Sequence, residues 1–486
     1  MTDRAKPMNL LYLFSDQHSR LVTGCYGNPY VHTPNIDRLA ARGVCFDSAY
    51  SNNPICVPAR AAMATGDYCF KHHYWDNAHP YSGEQDGWGH RLTGQGIPLT
   101  TIGKLHYQSD TPATGFTDQR IPLHVKGGTG DMTHLIRDGS MVRPAMRREV
   151  LEAGPGESDY LHYDEKVAAL AAEFLQKEVR EKPEPWCLYV GFVCPHFPWK
   201  VPEDIMELYT PHDKIPLPAD WKSEQRTMHP AIVKYRDEMC LSEPFTEQEM
   251  RKAIASYYGM VTFMDRQVGV VLDALEAAGL SDCTRVIYGD DHGEMAGDHG
   301  LFFKHTLYEG SVGVPLIMAG PDLPKNRRIR TPVSLVDIFP TVLECVGVGK
   351  EPEDEALPGI SLFEIINGSF SEERPVFAET HCIGFNDAAF MIRYRQYKYI
   401  YYVNYEPQLF DLENDPREQH DLIHDADYRA VRMEMDRILR EQFCDPEEIN
   451  RRAKSEQSDL LARNGGKEAV LKTLVSFSPI PDGILE

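Results

Sequence analysis

The chain has 486 residues, of which 42% are hydrophobic and 25% charged, with 36 Gly and 34 Pro; this excludes collagen-like, coiled-coil and wholly disordered chains and leaves enough apolar residues for a sizeable core. Its 50 Lys and Arg against 73 Asp and Glu give a net charge of −23, so neither nucleic acid nor an anionic membrane is expected as a partner. An anionic substrate would need a local cluster of cations set against that field.

In chain order, Met1 to Asn9 is polar and mixed in charge. The apolar run Leu10 to Phe14 is too short, and too soon ended by Asp16, to be a signal or membrane segment, which predicts a soluble, cytoplasmic protein. Asn9 to Phe14 instead reads as a strand buried on both faces of a parallel sheet, with Ser15, Asp16, Gln17 and His18 at its carboxyl end. A helix is expected from about Tyr160 to Arg180, where Val167, Leu170, Phe174 and Leu175 share a face. Trp186 to Val193 is a second buried strand, followed by Cys194, Pro195 and His196. The capping box Thr246 to Glu249 opens the longest helix, which runs to Ala278 with Gly279 as its stop. Arg285 to Tyr288 is a strand ending in Gly289, Asp290, Asp291 and His292, and Val314 to Met318 is another, closed by Gly320 and Pro321.

Strands separated by helices predict an α/β fold, a large mostly parallel sheet flanked by helices, with ligands gathered beyond the carboxyl ends of the strands. Composition changes near residue 370, where linkers at Glu351 to Pro358 and Ser369 to Pro375 precede an aromatic, alternating stretch from Met391 to Val403. A catalytic domain is therefore expected over 1–370. A smaller α+β domain with an antiparallel sheet is expected over 371–486, its helical part at about Asp427 to Phe443. The tail from Ala453 is read as an arm onto a partner subunit, which favours a homo-oligomer.

Eleven cysteines without a CxxC pair make neither a zinc framework nor a disulfide scaffold, and all but Cys56 read as small buried hydrophobes. Cys56 precedes Val57 and Pro58 and a short helix-forming run to Thr65, so it would sit at a helix N-terminus, where N–H groups and the dipole favour anions. Arg60, one turn on, adds a charge-assisted donor for a tetrahedral oxyanion. Those five residues alone fit a structural cysteine in a turn equally well. Asp16 with Gln17, and Asp291 with His292, offer carboxylate, amide and imidazole ligands at two strand ends, a set suited to a divalent cation. Lys104 and His106, two residues apart, face one side of an extended segment, and His196 and Lys304 add further cations. Each of these taken singly also fits a solvated surface residue or a satisfied histidine.

Together these residues resemble the formylglycine-dependent (type I) sulfatases of the alkaline phosphatase superfamily. Cys56 to Arg60 matches the C/S-x-P-x-R motif at every fixed position. His32 to Asp37 (HTPNID), Gly103 to His106 (GKLH), Asp291 to Leu301 (DHGEMAGDHGL) and Gln408 to Asp415 (QLFDLEND) are similar to further segments of the family. Gln17 in place of a second Asp and His292 in place of the frequent Asn, with Asp76 and Asn77 in YWDNA, are similar to the choline sulfatase and phosphonate monoester hydrolase branch.

The resemblance implies an alkaline phosphatase-like fold and oxidation of Cys56 to formylglycine by a formylglycine-generating or anaerobic sulfatase-maturating enzyme. It implies one divalent metal at Asp16, Gln17, Cys56, Asp291 and His292, calcium first, with manganese or magnesium as alternatives. A hydrated aldehyde would attack the sulfur of a small organic sulfate ester held by the metal, Arg60, Lys104 and Lys304, while His196 and His106 either protonate the leaving alkoxide or orient the diol. A phosphonate monoester or phosphodiester hydrolase with the same site is the nearest alternative, and a silent metal- and anion-binding protein a more distant one. Tyr74, Trp75, Trp88 and Trp199 lie near motif residues and either line a leaving-group pocket or belong to the core.

Overall fold

A computed structural model describes residues 6–179, 182–222, 228–368, 373–472 and 478–485. Arg180, the start of the linker expected at Ser369 and the boundary expected after residue 370 lie outside the described residues.

Eight strands form one sheet, in the order Arg327–Ile329, Gly43–Phe46, Leu316–Ala319, Thr284–Asp290, Asn9–Asp16, Cys187–Pro195, Leu99–Lys104 and Asp118–Leu123. All neighbours run parallel except Leu316–Ala319, which is antiparallel to both of its own. The first strand explains its own position. Leu11 and Leu13 enter the core shared with helices Asp159–Glu173 and Glu247–Ala277, while Leu10, Tyr12 and Phe14 enter the opposite core with helices Cys56–Thr65 and Ile338–Val346. A strand apolar at every position is stable only between two such layers.

The long helix begins and ends as its caps dictate. Thr246 Oγ1 accepts from the Glu249 backbone at 3.2 Å, Glu249 Oε2 accepts from the Thr246 backbone at 2.7 Å, and Gly279 leaves the helix at φ +72°. The helix expected to reach Arg180 is α-helical only to Glu173 and then widens into a π turn over Phe174–Glu178, which keeps Phe174 and Leu175 buried.

Downstream, Val376–Thr380, Ala389–Tyr394, Tyr397–Tyr402 and Gln408–Asp411 form a four-stranded antiparallel sheet. It shares a core with Tyr68, Phe70 and Trp75, which follow the Cys56 helix. Lys398 from this sheet is fully buried between Glu309 at 3.0 Å and Glu418 at 2.9 Å, a charged tie to the main body. The described parts of the tail from Ala453, expected to be an arm onto a partner subunit, pack on the chain itself. Ala453 and Gln457 are buried inside helix Pro446–Arg463, and the segment from Ser478 packs on the chain itself, where Tyr160 Oη donates to the Ser478 carbonyl at 2.9 Å and Lys166 donates to the Ile484 carbonyl. Among the described residues no helix is long and apolar enough to cross a membrane.

Candidate active site

Neighbouring parallel strands end at one edge of the sheet, and their register brings the polar clusters together. Ser15 pairs with Asp290, Asp16 with Pro195, and Gly103 with Gly191. Asp16 and Gln17, Asp291 and His292, Lys104 and His196 therefore leave the sheet side by side.

Cys56 reaches the same edge from above. It opens the helix Cys56–Thr65, every residue of which is buried, after the extended Ile55, and Gly66 ends the helix at φ +74°. The Val57 N–H donates to Asn77 Oδ1 at 3.1 Å. Cys56 Sγ lies 3.1 Å from Lys304 Nζ, 3.3 Å from His292 Nε2 and 3.7 Å from Asp16 Oδ1. Burial, with Asp16 beside it, pushes the thiol up to about 11 despite Lys304 and Lys104.

One ligand atom each from Asp16, Cys56, Asp291 and His292 lies within 4.8 Å of the others, and all four residues are buried. The chemistry of this set fits a divalent cation. His292 Nδ1 is tied to the Gly293 carbonyl at 3.1 Å, which fixes the proton there and leaves the Nε2 lone pair facing the cluster, and burial holds the ring near 4, hence neutral. Burial alone would raise the Asp16 carboxyl, but Lys104 at 2.6 Å and Lys304 at 3.9 Å hold it well below the ordinary carboxylate value. Gln17 stands at the margin. Its Oε1 accepts from Lys304 Nζ at 2.9 Å and its Nε2 donates to Glu294 Oε2 at 2.6 Å, so a lysine already holds the oxygen expected to face a metal.

Arg60 is bound on every side by the protein. It was expected to donate to a substrate oxyanion, yet each of its nitrogens is spent on the protein. Nε donates to Asp291 Oδ2 at 2.7 Å, Nη2 to the Ser15 carbonyl at 2.9 Å and to Asp16 Oδ2 at 3.3 Å, and Nη1 to the Lys104 carbonyl at 3.1 Å and Tyr189 Oη at 3.2 Å. Its guanidinium bridges the carboxylates of Asp16 and Asp291.

A cavity of about 170 Å³ opens in front of Cys56, with Lys104, His106, His196 and Lys304 in its wall. His106, at φ +62°, is held by Ser478 Oγ at 2.5 Å from Nε2, while its Nδ1 has no partner. His196 Nδ1 is tied to the Phe197 carbonyl at 2.6 Å. Burial first, then Lys104 for His106 and Lys304 for His196, keeps both rings well below the ordinary histidine value.

The aromatic residues considered for a leaving-group pocket belong to the core. Trp75 donates to Glu456, Trp88 to Met63 Sδ and Tyr74 to Gln85, while Trp199 stacks on Phe303. The apolar wall is made instead by Tyr160, Phe197, Met146, Met239 and Ile383. Sequence reasoning also missed Lys126, Asp131, His134, Arg143, His305 and Ser478 in that wall. His305, next to Lys304, was within reach of a reading by adjacency; residues 125–146 carry no periodicity or motif that points to a site.

Comparison with known proteins follows the same outline. The sulfatase family matches residues 8–348, and the family described as N-sulphoglucosamine sulphohydrolase, C-terminal, matches 297–444. Choline-sulfatase of Rhizobium meliloti (strain 1021) is 30% identical over 430 residues, covering 84% of this chain and 81% of that protein. Arylsulfatase K of Homo sapiens is 31% identical over 438 residues, covering 85% of this chain and 78% of that protein. The crystal structure of phosphonate monoester hydrolase of Agrobacterium radiobacter superposes with a TM-score of 0.71 at 25% identity, covering 92% of this chain and 96% of that one.

Proposed function

The chain belongs to the sulfatase family, and from that premise we propose that it hydrolyses the sulfate monoester of a small organic molecule at Cys56, releasing inorganic sulfate. The observation that carries this reading is the position of Cys56 in CVPAR, at the start of a buried helix and inside a four-residue group of metal-binding type.

Asp16, Asp291 and His292, with Cys56, would hold the divalent cation, calcium first by the family's habit, and Gln17 Oε1 lies beside them. Formylglycine made from Cys56 would, once hydrated to its geminal diol, offer a hydroxyl nucleophile, and a cation bound there would lower that hydroxyl's pKa. The chain's own side chains supply the rest. Lys304 Nζ, 3.1 Å from Cys56 Sγ, and Lys104 Nζ, 2.6 Å from Asp16 Oδ2, are placed to hold the non-bridging sulfate oxygens as charge shifts toward the leaving oxygen. Both lysines already face acceptors, so sulfate enters a field that needs little reorganisation. His196, in the cavity wall, is assigned to protonate the leaving alkoxide; burial and Lys304 keep its ring neutral in the free site, so the role requires the negative charge of the bound sulfate to raise its affinity for a proton. His106, held by Ser478, is assigned to orient the transferred group; each such acid or base contributes typically about 10²–10⁴-fold. Arg60 acts through Asp16 and Asp291.

Production with a sulfatase-maturating enzyme, followed by the mass of the peptide spanning Cys56 and turnover of aryl sulfates, tests the reading. The aldehyde mass with sulfate release supports it, and an intact thiol in a competent host removes it. The structural likeness to phosphonate monoester hydrolase favours one second reading, a phosphonate monoesterase on the same residues. Faster turnover of an aryl phosphonate monoester than of the matching aryl sulfate would establish that reading instead.

A further inference from the structure

The far wall of the cavity holds basic groups that sulfate transfer at Cys56 does not use. Arg143 is 6% exposed; its Nε donates to Glu238 Oε1 at 3.0 Å and its Nη1 to Thr133 Oγ1 at 3.0 Å, while its Nη2 has no partner. Two carboxylates, Glu238 and Asp131, pair with Arg143 and share their oxygens with other donors. Glu238 Oε2 accepts from the Gly384 N–H at 2.7 Å, and Asp131, 3.7 Å from Arg143 Nη1, also accepts from the Thr133 N–H and hydroxyl and pairs with His134 at 3.3 Å. His305 is also buried, and its Nδ1 has no partner. A buried guanidinium nitrogen left without an acceptor among the described residues is costly; Arg143 Nη2 and His305 Nδ1 are closed to solvent as the wall stands, so a ligand supplies that acceptor only when these side chains turn toward the cavity.

The charge of the wall points the same way. Among the described lining residues Lys104, Lys126, Arg143 and Lys304 stand against Asp131, while Asp16 pairs with Lys104 and Lys304, and Glu238 with Arg143, from outside the lining. A quaternary ammonium group would need the opposite wall, aromatic or anionic.

Resting on the sulfatase reading above, we propose that Arg143 and His305 form a second anion subsite, and that the substrate is an organic sulfate ester carrying another acidic group, a carboxylate or a second sulfate, away from the reacting sulfur. Arg143 then receives the bidentate or single charge-assisted acceptor that its Nη2 lacks.

The test uses the matured, metal-loaded enzyme and four aryl sulfates whose leaving groups are kept alike by a methylene spacer. These are 4-methylphenyl sulfate and its carboxymethyl, sulfooxymethyl and trimethylammoniomethyl counterparts. The expected result is a kcat/KM for one of the two acidic esters about tenfold to hundredfold above the methyl ester, carried mainly by KM and matching one or two charge-assisted hydrogen bonds. Whichever acidic ester gains more identifies the group. An ammonium or methyl ester turned over as well as both acidic ones overturns the proposal. In Arg143→Gln the acidic-to-methyl ratio falls toward one, and in Arg143→Lys it falls partway; a ratio unchanged in Arg143→Gln overturns the assignment to Arg143. Should that variant fail to fold, the wild-type panel still decides. Calorimetric binding of 4-hydroxyphenylacetate and 4-hydroxybenzyl sulfate separates this proposal from the one it rests on. Binding of either by wild type, about tenfold or more weaker in Arg143→Lys, supports the subsite even if no ester is turned over, and absence of binding by both removes it.

Discussion

Arg60→Met keeps the length of the side chain, removes its charge, and asks whether Arg60 clamps the carboxylates or grips the substrate. Arg60 is fully buried, with Nε 2.7 Å from Asp291 and Nη2 3.3 Å from Asp16. Removing one partner of a buried ion pair leaves the other charge uncompensated and costs about 3–5 kcal/mol. At about 2.1 cal/mol/K per residue, 486 residues give a melting entropy near 1 kcal/mol/K, so the loss corresponds to a Tm lower by about 3–5 °C in EDTA. A divalent cation at about a hundredfold excess over Kd stabilises each folded site by about 2.7 kcal/mol, and it narrows the gap to the extent that the variant, freed of the Arg60 charge, binds it more tightly than wild type. Scanning calorimetry with EDTA, with calcium and with manganese reads both effects. A substrate-gripping Arg60 would instead raise KM and leave the metal-free Tm alone. A variant that melts within about 1 °C of wild type in EDTA refutes the clamp.

Other predictions test neighbouring parts of the argument. Cys56→Ala should abolish turnover with an unchanged circular dichroism spectrum, and near wild-type activity in the purified variant would dismiss Cys56 as the reacting residue. Asp291→Asn should lower bound metal by elemental analysis and weaken the hold of Arg60 Nε; unchanged metal content would remove Asp291 from the ligand set. Acid stability should report His124, whose ring burial holds near 4 and whose Nδ1 has no partner. The folded value is depressed, so the unfolded chain takes the proton first; the contribution is complete above about pH 6.5 and declines by up to about 3 kcal/mol as pH falls to about 4. His124→Gln should flatten the urea midpoint over that window, and an unchanged acid slope would count against His124 as its source.

The strands and the polar cluster at their ends were legible because they are written in short-range signals. Asn9 to Phe14 is apolar at alternate positions on both faces, which only a central strand tolerates, and the Thr246 box states where the long helix begins. Polar residues just beyond Phe14 and Tyr288 must then gather at one edge, since parallel strands share their carboxyl ends. Direction was not legible. The CVPAR motif places Arg60 one turn from Cys56 but does not say which of two anions it faces, and the buried carboxylates of Asp16 and Asp291 take it before any substrate arrives. The aromatic residues near the motifs were ambiguous for the same reason. Trp75 and Trp88 turn away from the cavity because Glu456 and Met63 offer partners for their ring N–H groups.

The wall of the cavity was the least legible part, and the reason is topological. Arg143 lies between Val142 and Pro144, just before a short helix, and its role depends on Glu238 from a distant segment. Ser478 meets His106 across 372 positions of sequence, a contact no local pattern announces. Reactive groups sit at strand ends, where the sheet dictates position, whereas the groups that select a substrate sit on connections, where position is set by tertiary contact. The −23 of the whole chain sharpens that division. Surface charge more than about 8 Å from an entering anion is largely screened at physiological ionic strength, so the basic wall within a few ångströms decides what binds, and the global count does not. A chain this acidic can therefore line a cavity with basic side chains, provided that buried partners hold them in place, as Asp16 holds Lys104 and Glu238 holds Arg143.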